Sequence, residues 1–326
     1  MATRQILITG AGGFIGSHLV ERALERGDAV RAFVHYNSLG TAGWLDRSPC
    51  RAQVEVVPGD VRDLDAVAGA VRGCDTVFHL AALIGIPYSY VSPLGYVRTN
   101  VEGTYNVLQA SRDAGVERVL VTSTSETYGT ARYVPIDEAH PPNAQSPYAA
   151  SKVGADQLAL SFHRAFGLDV RLVRPFNTYG PRQSARAIIP TIVSQLLGGR
   201  TRLRLGNLEP TRDLTFVPDT VAGFLAIADC AACAGTATNI GTDDEISVRD
   251  LARRIGRFMG AEVSFEFDSA RARRPESEVE RLRCDSRRLR TLTGWTPAFT
   301  LDAGLEATIA WLRENLAADR PEAYAI

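Results

Sequence analysis

Short apolar runs alternate with amphipathic stretches through the first half of this chain, and that rhythm leaves few folds open. "RQILIT" precedes a helical pattern over 14–26, "AVRAFV" follows, and "QVEVV" leads into a helix over 63–71. "TVFHL" precedes 94–114, "RVLVTS" precedes 147–166, and "DVRLVR" closes the series. Nearly continuous apolar strands separated by helices predict right-handed βαβ units, because only a parallel sheet covered on both faces buries such strands completely. The expected class is α/β, a doubly wound parallel sheet.

After Arg174 the rhythm loosens. Helices are expected over 186–198, 219–229, 247–259 and 301–316, with short strands near 203–205 and 237–240. Together with the charged run "DSARARRPESEVERLR" they suggest a smaller α/β lobe, partly interleaved with late sheet elements. The boundary is placed at about residue 175, giving a first unit of 1–175 and a second of 176–326. A length of 326 residues supports one large unit and a smaller companion.

Composition narrows the partners. With 36 basic and 37 acidic residues the formal charge is −1, too little basic excess for a nucleic-acid or anionic-membrane surface. A small molecule fits better. No apolar window reaches the roughly 18 residues of a spanning helix, and the first residues run into a strand without a signal-like segment, so a cytoplasmic location is expected. The five cysteines, Cys50, Cys74, Cys230, Cys233 and Cys284, are odd in number and scattered, which reads as free thiols. The five histidines show no metal-ligand spacing, so no metal is expected.

"ILITGAGGFIGSHLV" sets Gly10, Gly13 and Gly16 where the first strand meets the first helix. Glycines there permit a tight turn, a close approach to a pyrophosphate and close helix–strand packing, while the helix N-terminus with Phe14 and Ile15 offers unpaired N–H groups to phosphate. This is the context a dinucleotide-binding Rossmann loop requires.

The G-x-x-G-x-x-G spacing resembles the extended short-chain dehydrogenase/reductases, the NAD-dependent epimerase/dehydratase family. The resemblance continues in order with "GDVRD" (59–63), "HLAA" (79–82), "TNVEGT" (99–104), "YAASK" (148–152) and "RPFNTYGP" (174–181). It implies that Asp60 and Val61 hold the adenine and that Leu80, Ala81 and Ala82 line the floor beneath the dinucleotide. Family members that use NAD usually end the second strand with a carboxylate for the ribose; here Val34, His35, Tyr36 and Asn37 stand there. NAD is the expected cofactor, with NADP an alternative.

"SPYAASKVGADQLALSF" reads as a helix with Ser146 near its N-cap, Pro147 in its first turn, and Tyr148 and Lys152 four apart on one face. A phenol is a poor base at neutral pH, but a neighbouring ammonium and a positive nicotinamide favour its phenolate, which can take a sugar hydroxyl proton. The resemblance makes Thr124 the third partner on the same oxygen. Two positions on, inside "TSTSETYG" (122–129), stands Glu126.

Simple 4-epimerases usually carry small or hydroxyl residues at that place. The Thr124–Ser125–Glu126 triplet resembles sugar-nucleotide 4,6-dehydratases, particularly the GDP-mannose dehydratase kind. In such enzymes C4 oxidation acidifies the C5 proton, a base removes it, water leaves from C6 with Ser125 or Glu126 relaying a proton, and the hydride returns to C6. dTDP-glucose dehydratases carry Asp where Ser125 stands, and UDP-glucuronate decarboxylases share a Thr–Ser–Glu triplet. A 4-epimerase and a decarboxylase are therefore the alternative readings.

"LGNLEPTRD" and "RPESEVERL" look closest to bacterial dehydratases of nucleotide-linked N-acetylglucosamine and similar hexoses. By the resemblance Asn177, Arg212 and Arg274 face the diphosphate, whereas Arg271 and Arg273 read as a solvated charge run. "IGIPYSYVSP" (84–93) corresponds to a sugar-pocket segment, with Ser89 and Tyr90 as candidates. Helices 94–114 and 147–166 carry apolar stripes (Val101, Tyr105, Leu108; Leu158, Phe162), from which a homodimer through a four-helix bundle is expected.

Overall fold

The computed structural model describes residues 4–315. Its centre is a seven-stranded sheet built from β1 (Gln5–Thr9), β2 (Ala29–His35), β3 (Glu55–Gly59), β4 (Thr76–His79), β5 (Arg118–Thr122), β6 (Asp169–Pro175) and a late strand, Ala237–Ile240. The order across the sheet is late strand, β6, β5, β4, β1, β2, β3, and every pairing is parallel. The sheet thus draws on residues either side of 175. Strand order reverses between β1 and β4, and the crevice beyond the strand C-termini at such a point is where doubly wound sheets bind ligands.

Alternation along the strands divides the core. Ile6 and Ile8 face one cluster, which continues into the later helices; Leu7, Val77 and Val119 face the other. Helices α1 (Phe14–Glu25), α2 (Leu64–Val71), α3 (Ile86–Val91), α4 (Pro93–Tyr96), α5 (Gly103–Asp113) and α6 (Pro147–Phe166) complete the first half. α6 spans the residues expected: the Ser146 hydroxyl accepts from Ala149 N at 3.1 Å, Pro147 opens the helix, and Gly167 ends it at φ 71°.

One helix departs from expectation. The pattern over 94–114 is broken by a π-helical turn, Val97–Glu102, between α4 and α5. The turn carries buried Asn100, whose amide donates to Leu83 O at 3.0 Å and Ser151 Oγ at 2.9 Å and accepts from Leu83 N at 2.9 Å. Satisfying those groups is worth more than one regular turn, and the chain just past β4 is pinned by it. Just after this turn, a side chain at Gly103 would meet Val61 Cγ2 at 2.8 Å.

The second half adds β7 (Asn177–Tyr179), α7 (Ile188–Leu197), β8 (Arg202–Leu205), β9 (Thr211–Arg212), β10 (Leu214–Phe216) and α8 (Val217–Asp229) before the late sheet strand, β11. Then come β12 (Ile246–Ser247), α9 (Val248–Phe258), β13 (Ser264–Phe267), β14 (Arg281–Leu282), α10 (Arg287–Thr293) and α11 (Leu301–Asn315). Three small sheets, β7–β10, β8–β13 and β12–β9–β14, form a lobe at the C-terminal edge of the main sheet. Among the described residues no helix is long and apolar enough to cross a membrane.

Candidate active site

A cleft of about 990 Å³ follows the C-terminal ends of β1 to β5 and reaches across to Asn177 and Arg273. Its first part is a cradle of backbone. Gly10 sits at φ 69°, and a Cβ there would lie 2.8 Å from Ala81 N; one on Gly16 would lie 2.2 Å from Gly10 O. A side chain at either would push the loop off the sheet. Gly13 is less constrained, meeting only Gly10 O at 3.2 Å, and no side chain caps the helix it opens. Gly12, which the spacing argument passes over, belongs to the same cradle: its Cβ would strike Ala42 O at 2.5 Å. A cradle in which a Cβ at Gly10, Gly12 or Gly16 would strike backbone, at the uncapped start of a 12-residue helix, fits a dinucleotide pyrophosphate.

The floor is held from behind by His79. Its Nδ1 lies 2.8 Å from Thr9 Oγ1 and its Nε2 3.0 Å from Thr104 Oγ1. Thr104 spends its own proton on Asn100 O, so Nε2 must donate to it, and Thr9, which already accepts from Leu80 N and Ala81 N at 3.1 Å each, donates to Nδ1. The imidazole is therefore neutral, and burial, followed by the nearby Lys152 charge, drives its pKa from 6.5 down to about 3. This network fixes Leu80 and Ala81, which line the cleft together with Ala82. Sequence reasoning missed His79 as a support.

Asp60 and Val61 also line the cleft. The Asp60 carboxylate is gripped by Arg62, whose Nε lies 3.0 Å from both oxygens, and this holds it below the usual carboxylate range. At the end of β2, Asn37 closes its own loop by accepting from Leu39 N and Thr41 N, while Tyr36 is exposed and outside the lining.

The hydroxyl-rich stretch after β5 forms a 3₁₀ turn, Ser125–Tyr128, with Thr124 as its N-cap. Gly129 ends it at φ 63°, where a Cβ would lie 2.1 Å from Asn143 O, so the turn cannot extend. The turn presents Thr124, Ser125 and Glu126 to the cleft beside Tyr148 and Lys152 from α6. Glu126 is only 8% exposed. Thr124 and Tyr148 both line the cleft, and Lys152 Nζ donates to Thr122 O.

Burial raises the Tyr148 pKa well above its ordinary value, with the Thr124 hydrogen bond opposing and the Glu126 charge adding to the rise. Burial also lowers Lys152, partly offset by Asp156. Desolvation is the largest influence on Tyr148, so the phenol keeps its proton until further positive charge arrives, which is why the expected phenolate needs the nicotinamide as well as the ammonium. A positive nicotinamide is a group of that kind, a second sign that the cleft fits an oxidised dinucleotide. Behind these residues Asp156 accepts from Ser123 Oγ at 2.6 Å and from buried Arg174 at 2.7 Å. Asp156 is not marked by the motif spacing, and Arg174 opens the "RPFNTYGP" signature without being singled out there.

Residues 7–308 match the family described as GDP-mannose 4,6 dehydratase. The chain belongs to this family. It is similar to a UDP-glucose 4-epimerase of Mycolicibacterium smegmatis, 35% identical over 95% of this chain and 98% of that protein. Likewise it resembles a dTDP-glucose 4,6-dehydratase of Streptomyces antibioticus, at 34% identity over 96% and 93% of the two chains. The crystal structure of DesIV, a dTDP-glucose 4,6-dehydratase from Streptomyces venezuelae with NAD and TYD bound, superposes with a TM-score of 0.88 at 33% identity, covering 95% of this chain and 97% of that one.

For a member of the dehydratase family, the substrate side holds the larger corrections. Asn177 lines the cleft with a buried Oδ1 that has no hydrogen-bond partner, ready for a donor. Arg212 is buried but outside the lining, 3.5 Å from Glu278. Arg274 is exposed and turned away; its neighbour Arg273, read from sequence as solvated, is the one that reaches the cleft, 3.7 Å from Glu126. In an irregular segment no periodicity indicates which of two adjacent arginines points inward. Ser89 is buried with its hydroxyl on Ile86 O at 2.7 Å and does not line the cleft. Tyr88, one residue earlier, does.

Proposed function

We propose that this chain is an NAD-dependent nucleotide-sugar 4,6-dehydratase, a lyase converting an NDP-hexose to its 4-keto-6-deoxy derivative. The observation that carries this reading is Glu126: a buried carboxylate in the cleft, on the same short turn as Thr124 and across from Tyr148. The loop from Gly10 to Gly16, with Asp60 and Val61, would hold NAD, which would supply the acceptor for the C4 hydride and its return to C6. Thr124 and Tyr148 hold the C4 oxygen, and Tyr148 takes its proton. Lys152 steadies the charge on that oxygen pair. Glu126 removes the proton at C5, which the adjacent C4 carbonyl has made acidic. The C6 hydroxyl departs as water after Ser125 or Glu126 delivers a proton to it, and C5 regains a proton as the product forms. Asn177, with its free acceptor, suits a donor on the nucleotide sugar.

The test is Glu126→Gln. Wild-type enzyme given UDP-, GDP-, CDP- and dTDP-hexoses, N-acetylglucosamine among them, is expected to yield a product lighter by the mass of water. The variant is expected to bind NAD normally and form none. Normal turnover by the variant would overturn the proposal, an isobaric product would indicate a 4-epimerase, and CO₂ release from a uronate would indicate a decarboxylase.

Residues 1–175 with β11 are proposed as the cofactor unit and the remainder as the sugar lobe. A homodimer is proposed as well, supported by exposed Val97 and Tyr105 beside the π-helical turn. Leu108 and Phe162 belong to the protomer's own core and are withdrawn from that face. Sedimentation of Tyr105→Glu against the parent protein tests it: a lighter species is expected from the variant alone.

A further inference from the structure

Four charged side chains run from the cleft into the lobe in alternating sign. Arg273 Nη1 lies 3.7 Å from Glu126 Oε2 and 3.7 Å from Glu278 Oε1, and Arg212 lies 3.5 Å from that same Glu278 oxygen. Nη1 of Arg273 is buried and hydrogen-bonded to neither carboxylate. It stands midway between them. The backbone that carries it is pinned: the Gln145 amide donates to Glu276 O at 3.2 Å and Glu278 O at 3.1 Å, Tyr90 OH meets Ser277 Oγ, and a Cβ on Gly206 would lie 2.6 Å from Arg271 O. What remains adjustable is the guanidinium.

We propose that Glu278 is a positioning residue that sets the base strength of Glu126 by competing with it for the one guanidinium of Arg273. This rests on Glu126 being the C5 base. With Glu126 ionised, Arg273 is shared between two carboxylates. Once Glu126 has taken the C5 proton it no longer attracts the cation, and Glu278 receives it, so no buried charge is left unpaired. When Glu126 passes the proton on, the sharing is restored. The chain Glu126, Arg273, Glu278, Arg212 keeps its cations paired in both states, and Glu278 acts without lining the cleft.

Arg212 from β9 and Tyr148 from α6 also interact with Glu126 through space, and Lys152 lines the same cleft. Removing either partner of the shared contact therefore has a defined sign. Without Arg273 the Glu126 carboxylate loses a stabilising cation and holds a proton more readily. Without the charge of Glu278 the cation collapses onto Glu126, which then holds a proton less readily.

The experiment records kcat and KM against pH for the NAD-loaded wild type, Arg273→Gln, Arg273→Lys and Glu278→Gln. The low-pH edge of kcat is expected to move up in Arg273→Gln and down in Glu278→Gln, each by about one pH unit, the effect of one ion-pair partner at this range. Glu278→Gln should lose about tenfold in kcat with KM within about twofold, since a base weakened by one unit is about ten times less effective at most. Arg273→Lys should restore the edge in part.

A second measurement needs no turnover. The Glu126 carboxyl carbon is titrated by NMR in 13C-labelled protein, its signal assigned by its loss in Glu126→Gln, and the midpoints of the two variants should move in opposite directions. Shifts in the same direction, or none in folded variants, overturn the proposal. If Glu126→Gln turns over normally, the dehydratase reading fails on its own, and the titration still decides whether the coupling exists. Should Glu278→Gln not fold, Glu278→Asp, which retracts the charge by one methylene, must move the midpoint down by a smaller amount.

Discussion

The two halves of the cleft are built to opposite rules. On the cofactor side, His79, Thr9, Thr104 and Asn100 behind the floor form a closed set of hydrogen bonds, and Gly10 and Gly16 leave no room for a Cβ. On the sugar side, Asn177 Oδ1 and Arg273 Nη1 are buried without hydrogen bonds. A group used identically in every turnover is best fixed in advance, because a satisfied network costs nothing to reorganise. A substrate that enters, changes charge distribution and leaves needs donors and acceptors that are not already committed.

The seam between the halves should give the largest effect. Tyr148→Phe removes the group proposed to take the C4 proton, and kcat is expected to fall by about a thousandfold, within the usual range for a general acid–base residue. Steady-state kinetics check this, and a loss of less than about tenfold would mean that the proton leaves by another route.

Next is the rigid side. Gly16→Ala should weaken NAD binding about a hundredfold by displacing the loop, as misplacements of about 1 Å do. Gly13→Ala should change it only a few-fold, because its Cβ meets one atom at 3.2 Å. Fluorescence titration with NAD separates the pair; equal losses would break the claim that the lock is at Gly10 and Gly16.

A comparable effect is expected in acid. His79 is neutral in the fold with a pKa of about 3 against 6.5 ordinarily, so between those values the unfolded chain binds the extra proton. The stability this site contributes is complete above pH 6.5, declines as pH falls through the window, and is gone below about 3. Between pH 7 and pH 4.5 the loss is about 2 to 3 kcal/mol. Urea unfolding of His79→Gln should show a shallower fall over the same range; an unchanged slope would remove His79 from the account.

The smallest effect belongs to the uncommitted side. Asn177→Ala should raise KM for the nucleotide sugar by about fivefold, the worth of one neutral hydrogen bond, and leave NAD affinity unchanged. A variant that bound NAD less well would show that the two halves are not separable at this residue.

Much of the cofactor side was legible before any coordinates. The glycines, "HLAA" and the Tyr148–Lys152 pair sit on or beside regular elements, where a period of 2 or 3.6 residues decides which side chains share a face. Even there, the π-helical turn around Asn100 and the role of His79 were hidden, since both depend on partners 17 to 70 residues away. The sugar side was read less well. Ser89 and Arg274 were chosen over Tyr88 and Arg273: α3 is shorter than two turns, too short for its period to show in the sequence, and Arg274 lies in an irregular segment.

By itself, then, the order of residues determined the parallel sheet, the place of its crevice and the chemistry available at the ends of β1, β5 and α6, because these follow from local periodicity and from glycine's freedom. Only the tertiary structure decided that Arg273 rather than Arg274 faces Glu126, that Glu278 shares it, and that burial is the largest influence on Tyr148. Those outcomes are set by contacts between distant segments, and by how much water each group loses when they meet.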